Sequence, residues 1–259
     1  MRMFEITKRI KLFAFDLDGT LYIGEDAIAG AVELIRYLKR KYQVVFFTNN
    51  SSKTADQVHQ KLNRLGFDCK LEEVYTSSSA AAVYLKEKGI DNVYVVGSQG
   101  LRDELVSKGI RIVDNDSAEN LIVGLDPGFN YNRIEMALSV LLKGGKFIAC
   151  NEDRAFPIEG NRLLPGCGAM VGAISAAAGR KPDCIIGKPN VYILSKISEA
   201  FSLGRDEIMV VGDSFGSDIM MAKNYNCKAI LINNDGFDDD SVIVVKDLKD
   251  LLQYIRRGK

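Results

Sequence analysis

Asp16 and Asp18 stand two residues apart at the end of the apolar run Leu12-Phe-Ala-Phe, and Gly19-Thr20 follows at once. Residues i and i+2 face the same way along an extended strand. Both carboxylates are therefore expected at one place, at the carboxyl end of a strand, where open α/β sheets bind their ligands. Carboxylates held that close repel unless a cation or a shared proton relieves them. A hard, oxygen-preferring ion meets that need, and Mg²⁺ fits it best. A strand followed by an acidic surface turn would look the same in isolation, so the rest of the chain has to decide.

Three more signals follow strand-like runs. Thr48-Asn49-Asn50-Ser51-Ser52 comes directly after one and precedes a helical pattern. Its hydroxyls, amides and backbone N–H groups suit an oxyanion at a helix amino terminus, although the same residue types also cap helices. Gly187-Lys188-Pro189 offers a close backbone approach and a cation. Gly212-Asp213 follows the apolar Ile208 to Val211, with Asp218 five residues on; an Asx-turn leading into a helix cap is the plainer alternative. Each signal is modest alone. Together they supply two paired carboxylates, a hydroxyl loop, a lysine and further acid groups at strand ends. That inventory suits bringing a phosphate dianion to an aspartate beside Mg²⁺.

These groups need a scaffold, and the chain reads as one. Strand-like runs at 12–16, 44–48, 74–77, 93–96, 120–124, 147–150, 184–187, 208–212, 228–232 and 242–245 alternate with helical patterns. The helical patterns fall at 31–40, 54–65, 78–88, 131–142, 168–178, 191–201, 218–224 and 248–255. Such alternation predicts an α/β protein with a Rossmann-like parallel sheet. Asp238-Asp239-Asp240 reads as a solvated loop.

Composition excludes several classes. Lys+Arg and Asp+Glu number 34 each, so no global field recruits nucleic acid or an anionic membrane. No run approaches the ~18 apolar residues of a membrane span, and the amino terminus does not read as a signal peptide. The five cysteines lack metal-finger spacing and are odd in number, which fits reduced thiols in a cytoplasmic protein. The single histidine, His59, lies in an amphipathic helical pattern, so a Ser-His-Asp triad or a multi-histidine zinc site is not expected.

With these residues in view, the chain resembles the haloacid dehalogenase superfamily of phosphohydrolases. Asp16-Leu-Asp18-Gly-Thr20, Thr48, Lys188 and Gly212-Asp213 with Asp218 match its four motifs. About thirty residues separate Asp18 from Thr48, too few for a full additional domain, whereas the interval from Thr48 to Lys188 has room for one. The subgroup resembled is subclass IIA, the nitrophenylphosphatase and ribonucleotide monophosphatase type. Thr48-Asn-Asn-Ser-Ser52, Asn151-Glu-Asp153, Phe156-Pro157 and Leu164-Pro-Gly-Cys-Gly-Ala169 are typical of it. The resemblance implies a catalytic core at 1–79 and 181–259, with an inserted α/β cap at 80–180 that selects the substrate.

It further implies a Mg-dependent phosphatase of small phosphate monoesters that works through an aspartyl-phosphate. Asp16 would be the nucleophile, and Asp18 the acid and then the base. Mg²⁺ would be held by Asp16, the backbone carbonyl of Asp18, and Asp213. Thr48, Asn49, Asn50 and Lys188 would hold the phosphoryl group, and Asp218 would orient Lys188 or a metal-bound water. Gly19 and Gly212 would allow the tight turns, and Asn151, Asp153, Phe156 and the Pro165-Gly166 turn would line the substrate. The partner is a small phosphorylated metabolite: a nucleotide, sugar phosphate, phosphoglycolate or pyridoxal phosphate. Phe156 stands where some relatives that use pyridoxal phosphate carry a substrate-facing histidine, which weakens that last choice. Cys167 and Ser214-Phe215-Gly216 also depart from the usual pattern. A homodimer stays open, since caps of this kind can present a dimer surface.

Rival readings are a phosphotransferase or mutase on the same scaffold, a receiver-like signalling domain, and a non-catalytic phosphate-binding relative. Such mutases usually carry the cap between the first two motifs. A receiver domain needs about half this length and lacks the i+2 acid. The intact Asp16 and Asp18 argue against a non-catalytic relative.

Overall fold

The strand Leu12–Asp16 is buried along its whole length, as its unbroken apolar run requires of a central parallel strand. It lies in a computed structural model that describes residues 9–115, 117–158, 162–232 and 242–257. The acidic run at 238–240 falls outside the described residues. The chain forms two compact units. The first comprises residues 1–48, 59–75 and 188–259, and the second 49–58 and 76–187. The chain thus leaves the first unit directly after Thr48 and re-enters it at Lys188. These borders differ from the expected 79/80 and 180/181, and the segment 49–58 goes with the second unit.

The first unit carries a six-stranded sheet in the order Ile243–Val245, Lys228–Ile232, Ile208–Gly212, Leu12–Asp16, Gln43–Thr48, Val74–Thr76. Leu12–Asp16 pairs in parallel with both Ile208–Gly212 and Gln43–Thr48, with Asp16 opposite Phe47. The first strand's carboxyl end is therefore flanked by the ends of two others. Helix Ala31–Leu38 buries Ala31, Leu34, Ile35 and Leu38, the i, i+3, i+4, i+7 stripe that an amphipathic helix turns to a sheet.

The second unit has a five-stranded sheet in the order Cys184–Ile185, Phe147–Ala149, Leu121–Val123, Asn92–Val96, Arg111–Ile112, with every pair parallel. Val96, Leu121, Val123, Phe147, Val171 and Ile174 belong to its core, packed with helices Tyr131–Leu142 and Cys167–Ala178. A hairpin, Ala155–Ile158 with Arg162–Pro165, sets Phe156 opposite Leu164. Segment 49–58 is knitted into this unit. Ser77 Oγ donates to Asn49 O at 2.7 Å, Ser78 Oγ to Lys53 O at 2.6 Å, Leu125 N to Ser51 Oγ at 2.9 Å and Ala55 N to Glu104 Oε1 at 2.6 Å.

Three features depart from the sequence reading. Helix Gln99–Ser107 was not expected, because two glycines in Gly97-Ser-Gln-Gly100 mask the Leu101/Leu105 stripe that it buries. Two short hairpins, Tyr22–Ile23 with Asp26–Ala27 and the one bearing Phe156, are too brief to show a period. The helix expected at 218–224 starts as a wide π-type turn, Phe215–Ile219, before helix Met220–Tyr225. Among the described residues, no helix is long and apolar enough to cross a membrane.

Candidate active site

In the first unit the strand ends gather Asp16, Asp18, Thr20, Thr48, Lys188, Asp213 and Asp218. Lys188 Nζ donates to Asp16 Oδ1 at 2.5 Å and to Asp218 Oδ1 at 2.8 Å, and all three side chains are buried. The ammonium also stands 4.9 Å from the centre of the Phe47 ring. Burial disfavours the cation, but Asp16 and Asp218 more than offset this, so the ammonium is held charged. Asp218 is raised by burial against the pull of Lys188. Its Oδ2 accepts from Ser214 N at 3.0 Å, a bond that the wide turn after Ser214 makes. π-Type turns of this sort often stand at functional sites. Asp218 thus touches Lys188 directly and also belongs to the acidic cluster around Asp16.

Thr20 Oγ1 lies 2.8 Å from Asp213 Oδ1 and 3.2 Å from Asp16 Oδ2, and so joins the two carboxylates through one hydroxyl. Gly19 makes this possible. Its φ of +88° is left-handed, and a Cβ there would sit 2.5 Å from Asp213 Oδ2. Gly212 is needed in the same way, since a Cβ would run into the Asp218 carboxylate. Asp18 and Asp213 keep solvent-exposed surface, yet the protein packs round them closely enough to raise both carboxyls. Desolvation is the larger cause and Asp16 the second.

The carboxylate oxygens of Asp16, Asp213 and Asp218 can all lie within 4.8 Å of one another. With Asp18 that makes four acidic groups beside one buried lysine. This all-oxygen set, only partly compensated by Lys188, fits a hard dication.

The other expected residues come together within the second unit. Asn49 Nδ2 donates to both oxygens of Asp153, at 3.0 and 3.1 Å. Asn151 Nδ2 donates to Asn49 O at 2.6 Å, and Asn151 Oδ1 accepts from Asp153 N at 3.0 Å. Asn50 Oδ1 accepts from Ser52 N, Ser52 Oγ and Lys53 N, an Asx-type turn within the loop. The amides of Asn50 and Asn151 are thus engaged in holding the loop. Phe156 is half-buried on its hairpin.

Tyr22 and Lys61 were missed by the sequence reading. Tyr22 Oη donates to Asp18 Oδ2 at 3.2 Å, and Lys61 Nζ stands 3.8 Å from the centre of the Tyr22 ring. The one available signal was Tyr22 itself, four residues after Asp18. His59 lies in helix Ala55–Arg64 with its Nε2 3.0 Å from Cys69 O.

A parallel sheet that gathers paired aspartates, a lysine and two threonines at its strand ends defines a phosphate-handling hydrolase. Comparison with known proteins gives the particular kind. Residues 13–111 match the family model of haloacid dehalogenase-like hydrolases, and residues 185–251 match a second model of the same group. An acid sugar phosphatase of Staphylococcus haemolyticus is 36% identical over 226 residues, covering 86% of this chain and 85% of the relative. One from Staphylococcus aureus is 37% identical over 225 residues, covering 86% of each. The solved 4-nitrophenylphosphatase of Thermotoga maritima superposes with a TM-score of 0.89 at 30% identity, over 96% of this chain and 98% of its own. The p-nitrophenyl phosphatase of Archaeoglobus fulgidus gives 0.87 at 29% identity, over 94% and 98%. The chain belongs to the haloacid dehalogenase-like hydrolases, in the branch of phosphomonoester hydrolases these relatives represent.

Proposed function

We propose that this chain hydrolyses small phosphate monoesters, sugar phosphates foremost, with Asp16 as nucleophile and Mg²⁺ as cofactor. The observation that carries this is the Asp16–Lys188–Asp218 triad at the end of the first strand, with Asp18 two residues on and Asp213 beside it. The names of the relatives support the substrate class.

The Asp16 carboxylate attacks phosphorus in line and forms an aspartyl-phosphate while the P–O bond to the alkoxide breaks. Asp18 gives its proton to that alkoxide, then takes one from the water that hydrolyses the acyl phosphate. Its raised carboxyl suits the first of these tasks. Lys188 offsets the charge of Asp16 as the dianion approaches, and the Thr48 hydroxyl donates to a phosphoryl oxygen. The carboxylates of Asp16 and Asp213 and the carbonyl of Asp18 would hold Mg²⁺, which when bound screens the repulsion between carboxylate and phosphate. Asn49 contributes by fixing the loop after Thr48. The second unit, with Phe156 and Asp153, selects the leaving group. The protein works in the cytoplasm on a free metabolite, and a homodimer would form through the second unit.

The test is a panel of sugar, nucleotide and nitrophenyl phosphates assayed with Mg²⁺ and with EDTA. Asp16→Asn serves as the folded control: it keeps the shape and loses the attacking charge, so turnover should vanish. No phosphate release by the parent from any ester, or substantial turnover by the Asn variant, would overturn the reading.

A further inference from the structure

We propose that Tyr22 is a positioning residue for the acid/base step, pinning Asp18 Oδ2 so that Oδ1 carries the proton to the leaving group. This rests on the assignment of Asp18 made above. The chain after Asp18 folds back sharply: Gly19 N donates to Tyr22 O at 2.9 Å, and the N–H groups of Thr20, Leu21 and Tyr22 all turn to Leu17 O. Asp18 and Tyr22 meet as an isolated β-bridge. The turn brings the Tyr22 hydroxyl to 3.2 Å from Asp18 Oδ2, and Thr48 Oγ1 lies 3.5 Å from the same oxygen. Among the described residues, both side-chain hydrogen bonds to this carboxylate fall on Oδ2. Oδ1 takes neither, so it is the oxygen that can carry and deliver a proton.

The pinning group is itself fixed. Tyr22 is 3% exposed. Its ring lies under the Lys61 ammonium at 3.8 Å, and that ammonium faces Glu25 Oε1 at 3.5 Å. A cation against a buried ring face holds the ring in one orientation. A carboxylate with two short torsions would otherwise sample rotamers that point Oδ1 away from the leaving group, and small misplacements of a proton donor lower the rate steeply.

Tyr22→Phe removes the hydroxyl and keeps the ring and its cation. A proton matters to an alkoxide leaving group and little to nitrophenolate. In the variant, kcat/KM for a sugar phosphate should fall about tenfold or more, a fraction of the ~10²–10⁴ that acid–base catalysis supplies. For nitrophenyl phosphate it should fall less than about threefold, and KM for both esters should hold. Lys61→Met should give the same asymmetry in weaker form. Equal losses on both esters, or no loss, would overturn the role of Tyr22. Asp18→Asn, followed by rapid quench in the phosphorylation step, separates this from failure of the underlying assignment. If that variant shows no leaving-group asymmetry, Asp18 is not the acid. If it does and Tyr22→Phe does not, only the positioning role falls. In the double variant, Tyr22→Phe should add no further asymmetry.

Discussion

Lys188→Met is the sharpest test of the electrostatic account. Methionine fills the volume of the lysine stem and removes the ammonium that touches Asp16 Oδ1 at 2.5 Å and Asp218 Oδ1 at 2.8 Å. None of the three side chains is more than 7% exposed, so solvent screens the pair of carboxylates poorly. Breaking a buried ion pair by deleting one partner costs about 3–5 kcal/mol. Asp218 can escape by binding a proton, which fixes the sign of the pH dependence. Burial already raises its carboxyl, and without the cation its folded-state pKa rises further above the unfolded value of ~3.9. Between those values the folded state binds more protons than the unfolded one, so stability falls as pH rises. The deficit of the variant should be smaller near about pH 5 than near about pH 8, where it should approach about 3–5 kcal/mol. Urea unfolding by circular dichroism, in EDTA to keep both proteins metal-free, measures it. If the two units unfold in separate transitions, only that of the first should move. Adding Asp218→Asn removes one of the stranded charges and should restore more than half of the loss. A deficit under about 1 kcal/mol at the upper pH, or one that does not change with pH, would refute the reasoning and leave only lost packing.

Gly19→Ala must place a Cβ 2.5 Å from Asp213 Oδ2 and hold alanine at φ +88°. The left-handed backbone alone costs about 1–2 kcal/mol, and Asp213 must move, so the Mg²⁺ needed for half-maximal activity should rise about tenfold; an unchanged requirement would remove Asp213 from the ion. Asn151→Ala leaves Asp153 N without its acceptor and Asn49 O with one donor fewer. It should lower stability by about 1–3 kcal/mol and lower kcat/KM equally for all esters, whereas a loss confined to one leaving group at full stability would return Asn151 to substrate contact.

The strand ends were legible because fully buried parallel strands are continuous apolar runs, and a polar residue at the end of such a run stands out. Asp16, Thr48 and Asp213 carry that mark, whereas Lys188 follows only the short, half-buried strand Cys184–Ile185. The amides do not. Asn49, Asn50 and Asn151 have the same chemistry whether they hold a phosphate or a loop, and for Asn151 the deciding partner is 102 residues away. Lys61 lies in a helix whose pattern reads as a solvated face. Its place on the Tyr22 ring depends on how that helix packs beside the hairpin Tyr22–Ile23 with Asp26–Ala27, whose strands of two residues each leave no trace in hydrophobic periodicity.

The course of the chain gives the two units a covalent connection at the residues that matter most. Thr48 is peptide-bonded to Asn49 and Lys188 to Gly187, and in both cases the first residue belongs to the first unit and its neighbour to the second. Within the second unit both neighbours are fastened to one short segment. Asn49 O accepts from Asn151 Nδ2 at 2.6 Å, and Gly187 N donates to Cys150 O at 2.8 Å. Asp153, two residues further on, holds the Asn49 amide. Residues 150–153 therefore anchor both the residue after the hydroxyl and the residue before the lysine. Any substitution that shifts this segment acts on Thr48 and Lys188 together, through one peptide bond each. A change of leaving-group preference made there would accordingly carry a change in phosphoryl-transfer rate with it.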